Sequence, residues 1–121
     1  MMIRIVVGGQ IDKQQIKDDL EKLAGNKEVE ITVKNDLEAA MAVQNNEADY
    51  YIGACETGAG GALAMATALL GGDKTETIAS STKVYGEEEI KKSIENGKIA
   101  FGFTANTKDS VLPILAKYLL E

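Results

Sequence analysis

The residues best suited to chemistry lie between Cys55 and Gly61, where the only cysteine of the chain is followed by three glycines. A strand-like run, 50–54, precedes them, and an almost wholly apolar helix is predicted from about Gly61 to Leu70. A glycine-containing loop that opens a helix presents backbone N–H groups and the positive end of the helix dipole, which favours an anion. The sequence therefore predicts an anion site in this loop, with Cys55 beside the ligand.

The chain contains no histidine, and this limits the chemistry that it can perform. A Ser-His or Cys-His couple and a histidine-based metal site are excluded within one chain. Acid–base chemistry would have to use Cys, Asp, Glu, Lys or Tyr side chains. Cys55 and Glu56 are therefore the candidate catalytic residues, and no metal site is expected.

Composition and charge narrow the class of protein. With 121 residues, 45% of them hydrophobic and 26% charged, the chain is typical of one globular domain, 1–121. A net charge of −6 argues against binding to nucleic acid, and the lone cysteine fits a reducing compartment. Residues 1–7 lack the pattern of a secretion signal, and the longest apolar run, 58–72, is too short to span a bilayer. We expect a cytoplasmic protein that binds no membrane.

Five strand patterns alternate with five helix patterns along the chain. The predicted strands are 3–7, 29–33, 50–54, 77–79 and 99–103. This alternation is typical of a parallel sheet with helices on both faces, a three-layer α/β/α fold with Rossmann-like or flavodoxin-like strand order. Ligands bind such sheets at the carboxyl ends of the strands. The predicted ligand-binding residues are Gly9, Gln10, Thr57, Gly58, Ala59, Gly60, Gly61, Ser80 and Asn106, with Ser81 and Thr104 beside them.

The helix boundaries can also be predicted from capping residues. Asp12 is a plausible N-cap for the first helix, and Asn35 or Asp36 for the second. If Ser110 caps the last helix, Pro113 falls in its first turn, where the missing N–H costs little. The helix that ends at Leu70 has almost no polar side, so it must be buried against other protein surface on all sides. We therefore expect a homodimer or higher homo-oligomer that forms through this helix.

Two phosphate-binding motifs are incomplete here. Residues 53–58 have the glycine spacing of a Walker A loop, but Ala59-Gly60 replaces its Lys-Ser/Thr pair. Gly58 and Gly60 begin a dinucleotide fingerprint, but Leu63 stands in the place of its third glycine. No nucleotide or other cofactor is therefore expected.

A strand and a helix of small residues flank the segment Cys55-Glu56-Thr57-Gly58-Ala59-Gly60. Together with residues 39–49 (AAMAVQNNEAD), it resembles the Cys-Gly-Thr-Gly-x-Gly region of type B ribose-5-phosphate isomerases and galactose-6-phosphate isomerases. The resemblance implies that Cys55 is the base that moves a proton between neighbouring carbons, and that backbone N–H groups of 57–61 hold the enediolate. It covers about a third of the chain. The Asp-His pair that this family has after its first strand is replaced by Gly9-Gln10, and its ring-opening histidine is missing.

Over its whole length the chain resembles a second family. The run 49–55 (DYYIGAC), the segment Thr57-Gly58-Ala59-Gly60 and the order of elements are similar to the YhfU-like family of small bacterial proteins. That resemblance implies a bacterial metabolic setting and no defined activity. Phosphotransfer components of the sugar transport system also combine a small α/β fold with one cysteine, but their cysteine follows the first strand.

Each candidate residue also has a purely structural interpretation. Cys55 could be a small buried hydrophobe, Glu56 a helix cap, and Gln10 a solvated amide. The glycines 58, 60 and 61 could serve helix–strand packing, and Ser80 and Ser81 could be turn residues. The sequence thus leaves open whether the protein is an enzyme. It predicts a binder of a small anionic metabolite at Cys55–Gly61, with isomerase-like proton transfer by Cys55 as the sharper hypothesis. The alternative is a non-catalytic regulatory or partner-binding subunit.

Overall fold

The computed structural model describes residues 2–56 and 63–121, and within them five strands form one parallel sheet. The strands are β1 (Ile3–Gly9), β2 (Val29–Val33), β3 (Tyr50–Cys55), β4 (Thr75–Thr77) and β5 (Ala100–Thr104). Their spatial order is β2-β1-β3-β5-β4. The chain leaves β1 for β2 on one side, and β3 then lies on the other side of β1. The switch point of the sheet, where ligands bind in open α/β folds, is therefore the crevice between β1 and β3.

Helices cover both faces of this sheet, as the sequence predicts. They are α1 (Lys13–Ala24), α2 (Asp36–Gln44), α3 (Ala64–Leu70), α4 (Glu87–Glu95) and α5 (Lys108–Leu119). Buried residues of α2 and α3 pack in one core cluster, and buried residues of α1, α4 and α5 pack in another. The three-layer α/β/α arrangement is confirmed. The first three strands follow flavodoxin-like order, whereas the short β4 lies outside β5 at the edge.

The two core clusters arise because alternate residues of a strand point to opposite faces. Ile52 and Ala54 of β3 belong to the larger cluster, which also contains Phe101 and Phe103. Tyr51 faces the smaller cluster between the sheet and α2/α3. Cys55, four residues further along β3, therefore lies on the α2/α3 face as well.

The start of the fourth strand and the start of the last helix differ from prediction, and Asp12 stands at the expected N-cap without its capping bond. The fourth strand begins two residues early, and Ala79 instead forms an antiparallel bridge with Val84. The last helix begins at Lys108, so Ser110 is not its cap and Pro113 lies in the second turn. Asp12 stands at the N-cap of α1 with a left-handed φ of 59°, but its side chain makes no capping hydrogen bond. In contrast, Asn35 caps α2 as expected by accepting from the Glu38 N–H.

The apolar helix is exposed along one side in the single chain. The structure describes α3 from Ala64; the predicted start at Gly61 lies outside the described residues. Ala66 packs into the core, whereas Met65 is 43% exposed. The helix is thus not covered all round by its own chain. Within the described residues no helix is long and apolar enough to cross a membrane.

Candidate functional site

A cleft of about 590 Å³ opens at the carboxyl end of the sheet, beyond β3 and β5. Its described lining consists of Glu56, Ser80, Ser81, Val84, Thr104, Asn106 and Thr107. These residues follow three different strands, because the carboxyl ends of parallel strands meet at one edge. The structure therefore brings together the predicted site residues Glu56, Ser80 and Asn106, with Ser81 and Thr104 beside them as the sequence predicts.

The polar side chains of the cleft fall into two groups. Those of Ser80, Thr104 and Thr107 are used within the protein: the Ser80 hydroxyl accepts from the Thr82 and Lys83 N–H groups, which is the turn role that the sequence allowed. Thr107 Oγ1 donates to the Thr104 carbonyl at 2.8 Å. The exposed side chains of Glu56, Ser81 and Asn106 make no hydrogen bond within the described part of the chain. They can therefore bond to a ligand.

Cys55 is not among the described residues that line this cleft. It ends β3, pairs in register with Thr104 of β5 and is only 1% exposed. Its burial agrees with the structural interpretation of a small buried residue. Glu56 does not cap α3, because the N-cap position is Leu63 and carries no side-chain capping bond.

Gly9 is the last residue of β1 and Gln10 follows it; β1 pairs with β3 on the side opposite β5. Gly9 has a φ of 80°, and a Cβ there would lie 2.7 Å from the Ala54 nitrogen, so the backbone itself requires glycine. The Gln10 N–H donates to the Ala54 carbonyl at 2.9 Å, and its exposed side chain is not among the described lining of the cleft. Thr57, Gly58, Ala59, Gly60 and Gly61 lie outside the described residues.

A buried tyrosine and a carboxylate form a second polar feature at the same edge. The hydroxyl of Tyr51, whose side chain is fully buried, donates to Asp36 Oδ1. Burial and then the Asp36 hydrogen bond raise the pKa of Tyr51, and a backbone hydrogen bond with Gly9 opposes them. The Tyr51 hydroxyl therefore stays protonated as a donor at neutral pH. It anchors Asp36 beside the carboxyl end of β1.

From the sequence, Asp36 is predicted only as a possible helix cap and Tyr51 only as a strand residue. The sequence nonetheless contained a signal for Asp36, because this residue comes soon after the predicted second strand. Gly9, Glu56 and Asn106 likewise come soon after predicted strands. The signal for Tyr51 was weaker. It consists of Gly8 and Gly53, which leave space for its ring.

The chain is similar in sequence to a family of proteins and to individual relatives. Residues 3–119 match the model of the family described as "protein of unknown function DUF2620". The chain is 42% identical over 118 residues to "Uncharacterized protein YhfU" of Escherichia coli K12, covering 98% of this chain and 99% of that protein. The YhfU protein of Shigella flexneri matches equally well.

The fold is also similar to that of a solved structure, ribose-5-phosphate isomerase B from Giardia lamblia. The TM-score is 0.68, and the alignment covers 98% of this chain and 94% of that one at 18% identity. This likeness confirms the fold. The family match and the relatives over nearly the whole length show that the chain belongs to the DUF2620 family, together with the YhfU proteins.

Proposed function

We propose that this protein binds a small phosphorylated or carboxylated metabolite at the carboxyl end of its sheet. The anionic group binds at the Cys55–Gly61 loop, and the rest of the molecule occupies the neighbouring cleft. The observation that carries the proposal is the convergence of Glu56, Ser81 and Asn106 on one cleft without hydrogen-bond partners in the described part of the chain.

The chemistry of the cleft indicates which part of the ligand it takes. Its described lining offers one carboxylate, one amide and several hydroxyls, but no lysine or arginine. Such side chains pair well with hydroxyl groups and poorly with a phosphate, which is better held by backbone N–H groups. The similarity in fold to a protein named as a ribose-5-phosphate isomerase supports a sugar-phosphate-like ligand.

In the catalytic form of this proposal, Cys55 is the proton-transfer base. Its thiolate takes a proton from the hydroxyl-bearing carbon next to a carbonyl, which leaves an enediolate. The resulting thiol returns that proton to the former carbonyl carbon, while the hydroxyl proton passes to the former carbonyl oxygen. The position of Cys55 at the end of β3 beside Thr104 supports this role. Because Cys55 is only 1% exposed, the catalytic form requires that a ligand can reach its thiol. Alkylation of the native thiol tests access directly, and slow labelling like that of a buried thiol would contradict the catalytic form.

Binding is tested by a thermal-shift screen with inorganic phosphate, ribose 5-phosphate, simple carboxylates and nucleotides. A ligand at about 100 times its dissociation constant adds roughly 2.7 kcal/mol of stability, which raises the unfolding midpoint by several degrees. We expect sugar phosphates to give the largest shift, reduced in the Asn106→Ala variant. Asn96→Ala, which removes an amide at the far end of α4, serves as the matched control. No shift with any compound would contradict the proposal.

Catalysis is separated from binding by the Cys55→Ser variant. If Cys55 transfers a proton, the variant keeps the ligand-induced shift and loses isomerisation of the compound that the screen identifies. If wild type binds that compound without converting it, the protein is a binder only.

A second candidate function, association with another chain, is favoured by one specific observation. Leu37 and Met41 of α2 and Met65 of α3 are each more than 40% exposed, and α2 packs against α3. We call these three residues the α2–α3 apolar face. Exposed apolar surface of this kind marks protein interfaces. We propose that two copies meet through it, as a homodimer.

The homodimer is tested by sedimentation at tens of micromolar protein. We expect wild type to sediment as a dimer and Met65→Glu as a monomer. Leu23→Glu places the same charge on an equally exposed apolar residue of α1, on the opposite side of the sheet, and should stay dimeric. A monomeric wild type would exclude the dimer, and a pull-down would then test for a different partner.

A further inference from the structure

We propose that Asp36, positioned by Tyr51, accepts a hydrogen bond from a hydroxyl group of the ligand, so that the ligand is a polyhydroxylated phosphate. This inference deepens the proposed function and rests on it. Asp36 would be a specificity-determining residue that touches the ligand, and Tyr51 a positioning residue that acts through Asp36.

Asp36 lies close to the switch point of the sheet. It begins α2 directly after β2, and β2 pairs with β1 at the carboxyl edge of the sheet. Tyr51 reaches Asp36 from β3, which pairs with β1 on its other side. The hydrogen bond thus passes beneath β1, beside the switch point of the sheet where ligands bind.

The Asp36 carboxylate uses one of its two oxygens for Tyr51. Asp36 Oδ1 accepts from Tyr51, whereas Oδ2 accepts no hydrogen bond within the described residues. None of the described ion pairs involves Asp36, although its side chain is partly buried. A carboxylate has about four acceptor positions, so an anchored one with an unused oxygen is suited to bind a hydroxyl donor.

Gly8 and Gly53 leave the space that the Tyr51 ring occupies. A Cβ on Gly8 would come within 2.6 Å of Tyr51 Cε2, and one on Gly53 within 3.1 Å of Cε1. Phenylalanine would fill this space equally well, so packing alone does not explain the hydroxyl. The Tyr51 hydroxyl donates to Asp36 Oδ1, and that bond fixes the rotamer of the carboxylate.

The distance from β1 to β5 along the carboxyl edge of the sheet suits a short sugar phosphate. Neighbouring strands lie roughly 4.8 Å apart, so about 10 Å separates β1, beside Asp36, from β5, beside Asn106. An extended five- or six-carbon phosphate ester is long enough to reach both. Hydroxyl groups along its chain would meet Asp36 on one side and Ser81 or Asn106 on the other.

Two-dimensional NMR titrations of the full chain with three probes test this inference. Inorganic phosphate can bind only the anion site, ribose carries hydroxyl groups alone, and ribose 5-phosphate carries both. We expect ribose 5-phosphate to bind wild type at least tenfold more tightly than inorganic phosphate does, with shifts of the Asp36 and Gly9 amide signals.

Two variants and a control separate binding from structure. Asp36→Asn keeps an acceptor for Tyr51 but removes the charge, and it should bind ribose 5-phosphate no more tightly than phosphate. Tyr51→Phe should weaken the binding of ribose 5-phosphate several-fold and leave the affinity for inorganic phosphate unchanged. Glu38→Gln removes a charge from the same helical turn and should behave as wild type. A dispersed spectrum shows that each variant is folded.

The outcomes distinguish this inference from the proposed function. If phosphate binds but Asp36→Asn retains the wild-type preference for ribose 5-phosphate, the role of Asp36 is overturned and the anion site stands. If phosphate fails to bind but ribose binds in an Asp36-dependent way, the anion site is overturned and the role of Asp36 stands. If no probe binds wild type, both are overturned.

Discussion

The ring of Tyr51 occupies the space that a side chain at position 8 would need. A Cβ built on Gly8 would lie 2.6 Å from Tyr51 Cε2 and 2.8 Å from the Ala39 Cβ, well inside contact distance. Gly8 is therefore glycine because of a neighbouring aromatic ring, and no ligand is needed to explain it. This relationship couples β1, β3 and α2 directly below the candidate site.

We expect Gly8→Ala to lower the free energy of unfolding by about 1–3 kcal/mol, because the added methyl group overpacks the contact with Tyr51. Urea unfolding measures the change. Gly72→Ala is the matched control, since a Cβ there meets nothing within 4 Å. In a Tyr51→Leu background, the cost of Gly8→Ala should shrink. An equal cost in both backgrounds would show that Tyr51 is not the obstacle.

Tyr51→Phe should lower stability at neutral pH by about 1–2 kcal/mol, because a buried hydrogen bond is lost and Asp36 loses its donor. Guanidinium or urea unfolding at pH 7 measures this loss. A variant as stable as wild type would show that the hydroxyl contributes nothing net to folding.

The same pair of proteins should differ at alkaline pH. The folded pKa of Tyr51 lies above its ordinary value of 10.0, mainly through burial and then through Asp36. The protonated form is therefore the one that folding favours, and its stabilisation is present below pH 10 and lost above it. The free-energy difference between wild type and Tyr51→Phe should shrink by up to about 1.4 kcal/mol per pH unit above pH 10. A constant difference up to pH 11 would contradict the raised pKa.

The sequence predicted the architecture well because local patterns specify it. Strand and helix periodicity depends on which residues face the core, and most of the described buried residues are apolar, as at Ile16, Leu20 and Phe101. The position of β4 was harder to predict. Its residues 75–77 are polar and lie at the sheet edge, whereas the apolar residues 78 and 79 follow the strand, with Ala79 in the antiparallel bridge to Val84.

The site was predicted only in part for a different reason. The rule that ligands bind at strand ends predicted that Glu56, Ser80 and Asn106 lie close together, and these residues do line one cleft, since the rule needs only strand order along the chain. It could not show that the Ser80 hydroxyl is used in a turn or that Cys55 is buried. These facts depend on side-chain direction and on contacts between distant segments, as does the bond from Tyr51 to Asp36.

Asn35→Ala should lower the free energy of unfolding by about 1 kcal/mol, because the Asn35 side chain accepts from the Glu38 N–H at the start of α2. Asn35→Asp retains the acceptor and should cost much less. Urea unfolding of the three proteins checks this order. Equal losses in both variants would show that the cap bond is not what stabilises this end of α2.

Asp19 and Lys108 join α1 to α5, and their side chains are 22% and 14% exposed. A hydrogen bond from Lys108 holds the pKa of Asp19 below its ordinary value of 3.8, and burial opposes that shift. Because the folded pKa is the lower one, the pair stabilises the fold above pH 4, and this stabilisation is lost as the pH falls through the folded pKa. At pH 7, Asp19→Asn should cost about 0.5–1 kcal/mol, since solvent partly screens the pair.

The pH dependence of that cost identifies its origin. Urea unfolding between pH 7 and pH 2.5 should show the difference between wild type and Asp19→Asn shrinking below pH 4, as Asp19 becomes protonated in both states. Asp18→Asn is the matched control, because Asp18 makes no ion pair among the described residues and accepts only from Gln14. At pH 7 the free energy of unfolding of Asp18→Asn should differ less from wild type than that of Asp19→Asn does. If the Asp19→Asn cost stayed constant down to pH 2.5, the loss would come from packing between α1 and α5 rather than from the charge pair.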